Sequence, residues 1–221
     1  MRHRAVFLDR DGTLVEPRHY PSRPEDLVLY RRIAPGLRRL RAAGFKLVVV
    51  TNQAGIARGY FGPRALYEMH RSLAQRFSRL GVLIDRFYFC PHHPDGVIPG
   101  LSVSCTCRKP QPGMLLRAAS ELHIDLDRSW MIGDILADIE AGNRAHCRTA
   151  LVDLGTESRP DTPVRIPDIV ARTTRHALDA VAAVERLGPP CELSYVPDRW
   201  RESSRAPSTS RPPVTKGGGN G

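Results

Sequence analysis

Two aspartates, Asp9 and Asp11, follow directly on the apolar run at 5–8 in the segment AVFLDRDGTLV. In an extended chain residues two apart face the same way. Gly12 then lets the backbone turn, and Thr13 offers a hydroxyl to cap that turn. Two close carboxylates repel unless a cation or a shared proton separates them. A Mg2+ site in which one aspartate is also a nucleophile meets that demand. Taken alone, the pair suits a solvated Asx turn equally well.

Three further segments shift the balance. LVVVTNQAGIARG ends an apolar run in Thr51 and Asn52 ahead of a glycine-containing loop, where hydroxyl, amide and backbone N–H groups can hold phosphoryl oxygens. CRKPQPGM sets Arg108 and Lys109 before a proline-bounded helix start, which favours an anion. WMIGDILAD places Asp134 after another apolar run, with Asp138 four residues on. A second constellation, Cys90-x-His92 and Cys105-x-Cys107, reads as a closed, tetrahedral structural Zn2+ site. His93 is able to replace His92 on spacing alone. The residues between the two halves, 94–104, have little apolar content, so zinc would order them beside Arg108 and Lys109. The spacing is not that of a DNA-reading finger.

These residues need a scaffold that brings distant segments to one edge. Apolar runs at 5–8, 47–50, 87–89, 130–132 and 149–152 read as buried parallel strands. Helical patterns lie between and after them, at about 35–43, 63–80, 112–123, 136–143 and 174–186. The alternation predicts an α/β fold, a parallel sheet flanked by helices. Pro35, Pro63 and Pro112 mark helix starts, and Gly44 and Gly81 mark helix ends. Residues 1–187 form one domain by this reading, with a metal loop at 90–107. The stretch 188–221, rich in Pro, Ser, Arg and Gly, is expected to be disordered.

Composition excludes several classes. At 221 residues, 41% apolar and 25% charged, the chain suits a soluble globular domain. It has neither an apolar run of the ~18 residues a membrane span needs nor a signal-peptide core. A cytoplasmic monomer is expected. The net charge of +10 comes mostly from scattered arginines, and aromatics are only 6%, without a base-stacking pattern. A nucleic-acid partner is therefore disfavoured, although a basic surface also attracts phosphorylated substrates.

In chain order the segments resemble the four motifs of the haloacid dehalogenase-like phosphatases. The zinc pattern resembles their histidinol-phosphatase-like branch, which implies a Rossmann-like fold without a large cap domain. The resemblance further implies Asp9 as nucleophile, Asp11 as general acid and base, and Mg2+ held by Asp9, Asp11 and Asp134. Asp138 is the implied supporting carboxylate. Thr51, Asn52, Gln53, Arg108, Lys109 and Tyr20 are the implied substrate contacts. VVVTNQAGIARG, YFCPHHPDG and CRKPQPGML resemble the sugar-phosphate phosphatases of that branch, and the resemblance implies a small phosphorylated sugar as substrate, the 7-phosphate of D-glycero-D-manno-heptose 1,7-bisphosphate first. Histidinol phosphate or another small phosphomonoester is the alternative within the branch. A basic zinc-containing nucleic-acid-binding protein is the alternative outside it. Residues 16–19 depart from the pattern of the heptose enzymes and are expected to line the substrate mouth.

Overall fold

The computed structural model describes residues 2–187 and 195–200. In chain order the elements are β1 (Arg4–Leu8), α1 (Ala34–Ala42), β2 (Phe45–Asn52), the single turn α2 (Ala54–Ala57), α3 (Pro63–Arg79) and β3 (Arg86–Cys90). They continue with α4 (Gly113–Leu122), β4 (Trp130–Gly133), α5 (Leu136–Arg144), β5 (Arg148–Val152), β6 (Ile169–Ala171) and α6 (Thr174–Val184). Every strand and helix expected from the sequence is present. The strand β6 is additional: its three residues carry too little periodicity to stand out in a sequence.

Hydrophobic alternation explains why these runs form a sheet covered on both sides. Val6 and Leu8 face one core with Leu37, Leu40, Phe77 and Leu178. Ala5 and Phe7 face the other, with Val48, Val50, Met114 and Leu115. Successive residues of a strand point to opposite faces, so burial on both faces demands an unbroken apolar run rather than an alternating one. The helix boundaries follow the punctuation. Pro35 and Pro63 sit in the first turns of α1 and α3. Gly44 and Gly81 lie just past their ends at φ +87° and +70°, where a side chain would be strained.

All six strands are parallel, in the order β3-β2-β1-β4-β5-β6. The chain winds outward from β1 through β2 to β3, then returns to place β4 on the other side of β1. The carboxyl ends of β1 and β4 therefore flank a crevice at the topological switch point, where α/β folds hold their ligands. Asp9 and Asp134 leave the sheet at this point. No cap domain stands over the crevice among the described residues: 91–112 contain neither helix nor strand, and 9–33 contain only a 3₁₀ turn and isolated bridges.

Within the stretch 188–221 expected to be disordered, residues 195–200 lie against the domain. Trp200 is buried against Leu136, Ile139 and Leu151. The Tyr195 hydroxyl donates to Asp153 at 2.9 Å, and Arg199 pairs with the same carboxylate. Residues 188–194 and 201–221, the remainder of that expectation, lie outside the described residues. No helix among the described residues is long and apolar enough to cross a membrane.

Phe77 is fully buried in the larger core. Phe77→Ala should lower stability by about 3–5 kcal/mol, read as a lower urea midpoint at unchanged m-value. A loss below about 1 kcal/mol would contradict this packing.

Candidate active site

The end of β1 is pinned to β4 by a hydrogen bond from Asp9 N to the Ile132 carbonyl at 2.9 Å. Gly12 follows at φ +89°, and a Cβ at this position would run into the Asp134 carboxylate. Glycine is required here twice over, for the left-handed turn and for the close approach. The turn delivers Thr13, whose hydroxyl donates to Asp134 Oδ1 at 3.3 Å. Asp9, Asp134 and Asp138 thus come together, each offering an oxygen within 4.8 Å of the others, and all three residues are buried.

One cation faces this cluster. Lys109 Nζ lies 2.5 Å from Asp9 Oδ1 and 2.6 Å from Asp138 Oδ1, and also donates to the Val50 carbonyl at 2.8 Å. The approach to Asp138 is an ion pair without hydrogen-bond alignment, so that oxygen has no hydrogen-bond partner. Three carboxylates against one ammonium leave an excess of negative charge away from water. Burial first, then repulsion from the other carboxylates, pushes Asp134 up to about 9. Burial likewise raises Asp9 to about 7, against the pull of Lys109. Burial alone would lower the Lys109 ammonium, but attraction to Asp138 and Asp9 outweighs it and holds the group above its ordinary range. An all-oxygen, electron-rich site of this kind fits a hard divalent cation such as Mg2+.

Asp11 stands apart from that cluster. Its carboxylate accepts from Arg10 Nε and Nη2 at 3.0 and 3.1 Å and from Gln53 Nε2 at 3.1 Å. Gln53 also donates to Thr51 Oγ1 at 2.8 Å and accepts from Arg10 at 3.1 Å. Asn52 places both its amide atoms on Lys109, donating to the carbonyl and accepting from the N–H, each at 3.0 Å. The structure therefore shows Asn52 and Gln53 holding Lys109 and Asp11. Tyr20, at φ +49°, meets the Tyr60 ring at 4.6 Å in a tilted pair and the His19 ring at 4.4 Å edge-on, with the Arg58 guanidinium over its ring. Of residues 16–19, His19 belongs to this aromatic group.

The metal loop converges as its spacing implies. Neighbouring ligand atoms of Cys90, His92, Cys105 and Cys107 lie 3.1–3.6 Å apart. A tetrahedron with Zn–S near 2.3 Å has edges of ~3.8 Å, so the group needs only slight expansion to take the ion. His93 is turned away: its ring meets Arg58 and accepts from Asp95 N. Arg108 donates to the His92 carbonyl at 3.3 Å, joining this loop to the Lys109 segment. The loop is also anchored elsewhere, since Val97 N and Ile98 N both donate to the Ala57 carbonyl at the end of α2.

Comparison with known proteins agrees with this geometry. The family model described as "HAD-hyrolase-like" matches residues 106–177. The D-glycero-beta-D-manno-heptose-1,7-bisphosphate 7-phosphatase of Mesorhizobium japonicum is 40% identical over 185 residues, 83% of this chain and 83% of its own. The chain belongs to the haloacid dehalogenase-like phosphatases. The Escherichia coli K12 protein of the same name is 43% identical over 164 residues, 72% of this chain and 82% of its own. Among solved structures, a HAD-like phosphatase from Mesorhizobium loti superposes with a TM-score of 0.74 at 38% identity, covering 86% of this chain and 90% of that one. A D,D-heptose 1,7-bisphosphate phosphatase from B. bronchiseptica, complexed with magnesium and phosphate, gives 0.69 at 27% identity, covering 82% and 99%.

Two buried residues of this phosphatase escape a motif-based reading. Arg10 is fully buried between the two aspartates and binds Asp11, Gln53 and the ring of His70, whose Nε2 lies 3.4 Å away. His70 stacks on Phe87. It falls at helical spacing among the buried Leu66, Met69, Leu73 and Phe77 of α3, and that period was the available signal. Burial first and the Arg10 charge second push His70 down from 6.5 to about 3. Between those values the unfolded chain binds a proton that the folded chain refuses, so stability must fall as pH falls through this window. Relative to His70→Gln, the wild type should lose roughly 2 kcal/mol between pH 7 and pH 5. Parallel unfolding curves for the two proteins across that range would refute the assignment.

Proposed function

We propose that this phosphatase removes the 7-phosphate of D-glycero-D-manno-heptose 1,7-bisphosphate, carrying the phosphoryl group on Asp9. The observation behind the chemistry is the buried cluster of Asp9, Asp134 and Asp138 around Lys109 at the switch point. The sugar rests on the relatives of that name at 40–43% identity. The setting is that of a cytoplasmic monomer acting on a small metabolite. The intact cluster speaks against a protein that only binds nucleic acid.

Asp9 attacks phosphorus in line, and the bond from phosphorus to the sugar oxygen breaks. Asp11, oriented by Arg10 and Gln53, gives its proton to the departing alkoxide. It then takes a proton from the water that attacks the aspartyl-phosphate, which returns Asp9 as a carboxylate and releases phosphate. Mg2+, held by Asp9, Asp134 and the Asp11 segment, supplies the positive charge that lets a carboxylate approach a phosphate dianion. Lys109 offsets the charge that gathers on the phosphoryl oxygens, and Asp138 with the Asn52 amide keeps it in position. Thr51 and Arg108 are assigned as phosphate contacts, and Tyr20 as a sugar contact at the mouth.

Phosphate release with Mg2+ should favour one or both anomers of the heptose bisphosphate over histidinol phosphate and a 3′-phosphorylated oligonucleotide. Asp9→Asn should abolish it, and Lys109→Ala should reduce it by ~10²-fold or more. Faster hydrolysis of histidinol phosphate would move the substrate assignment to that compound. Equal inactivity of the wild type and Asp9→Asn on every substrate would end the catalytic reading.

Cys90, His92, Cys105 and Cys107 are proposed to hold a structural Zn2+. Elemental analysis of the purified chain should find about one zinc per molecule, a single Cys₃His site being complete with one ion. Cys107→Ser should lose the zinc and most of the activity, because Arg108 and Lys109 follow immediately in the chain. Full activity in protein free of zinc would show that the loop needs no metal.

A further inference from the structure

The net charge of +10 is far more than the catalytic crevice employs, and part of the excess gathers at a second place. A cavity of about 520 Å³ opens beside β5 and β6 and shares no lining residue with the carboxylate–lysine cluster. Four arginines, all exposed, are among its lining residues: Arg31 and Arg32 from the segment before α1, and Arg172 and Arg175 around the start of α6. Glu16 is the single carboxylate in the lining. Among the described residues, Arg31 and Arg32 have no ion-pair partner. Arg172 lies over the Tyr195 ring at 4.8 Å, and Arg175 makes only a long pair with Asp179 at 3.7 Å. Four arginines against one carboxylate around a cavity favour an anion there.

The rest of the lining is apolar. Leu29, Ile33, Val152 and Leu154 form a wall, with the Tyr30 ring beside them. That wall is fixed from behind: the buried Thr174 hydroxyl donates to the Thr13 carbonyl at 2.6 Å. The volume lies within the ~300–1,000 Å³ of ligand sites and is too large for a bare phosphate. A ligand that combines an anionic group for the arginines with a body that packs on the aliphatic wall fits this lining.

We propose that this cavity is a second binding site, for a phosphate ester of the nucleoside 5′-phosphate class. The inference does not depend on which sugar is hydrolysed at Asp9. The test is calorimetric titration of the full chain without Mg2+, using adenosine 5′-monophosphate as the probe, with adenosine and inorganic phosphate alongside.

Saturable binding of the monophosphate at one site is expected, with adenosine and phosphate each at least ~10-fold weaker. The double variant Arg172→Glu/Arg175→Glu should weaken it at least ~10-fold, since charge-assisted bonds are lost and repulsion replaces them. Asp9→Asn should leave it unchanged. Arg31→Glu, on the other segment, should act in the same direction as the double variant and serves if that variant does not fold. No saturable binding, equal binding of phosphate alone, or binding that survives the arginine variants but is lost in Asp9→Asn would each overturn the proposal.

Discussion

Three buried carboxylates facing one lysine set the terms for the whole molecule. Asp9, Asp134 and Asp138 cannot all be charged beside a single ammonium in a site shut off from water without a further cation. That excess of negative charge makes the site a cation trap, and it also explains the local architecture. Two central strands must end side by side, which the return from β3 to β4 achieves. The turn after β1 must pass against Asp134, which only Gly12 permits. Lys109 must be held from outside the sheet, and the paired bonds from Asn52 to its backbone do this from the end of β2.

The pairing behind Asp11 follows a different logic. Arg10 is wholly buried, and burying a guanidinium is worthwhile only if its donors are satisfied. Asp11, Gln53 and His70 satisfy them, each from a different element: the β1 turn, the end of β2 and the inner face of α3. Such a network is a poor source of stability but a good source of geometry, because removing one member leaves the others unpaired. Its consequence is that the proposed acid–base carboxylate is aimed by three separate elements of the fold, so its orientation does not rest on a mobile loop.

Legibility in the sequence tracked how local each signal is. Strands buried on both faces appear as unbroken apolar runs, so 5–8, 47–50 and 130–132 were readable, while the three residues of β6 were not. Asp9, Thr51 and Asp134 stand immediately after such runs, which places them at strand ends without any structure. Lys109 lies in a loop before α4, and only the proline-bounded helix start hinted at it. The division of labour within motifs was not legible. The motif offers Asn52 and Gln53 as substrate contacts but does not reveal that their amides also pair with Lys109 and Asp11, because side-chain partners across 40 to 60 residues leave no trace in spacing. The same limit hid Arg10, whose role depends on His70 sixty residues away. The burial of Trp200 is hidden by polar, proline-rich surroundings in the sequence, although one large apolar side chain can dock a short segment.

The metal loop answers a problem that the lysine creates. Lys109 must enter a buried, negatively charged site from a segment with no helix or strand between Cys90 and Gly113. An unsupported loop of that length would sample many conformations, and the ammonium would lose its place. Cys90 and His92 at the end of β3 and Cys105 and Cys107 just before Arg108 bring the loop's two ends together, where the proposed zinc would clamp them. The bonds from Val97 and Ile98 to Ala57 fasten its middle to the turn that follows Gln53. Both anchors therefore lead back to β2 and β3, the strands whose ends flank Lys109. Cross-linking by the proposed zinc would replace the hydrophobic packing that the loop's exposed Val97 and Val103 do not supply. With no cap domain among the described residues, such a clamp would fix Lys109 as firmly as the strand-borne carboxylates it faces.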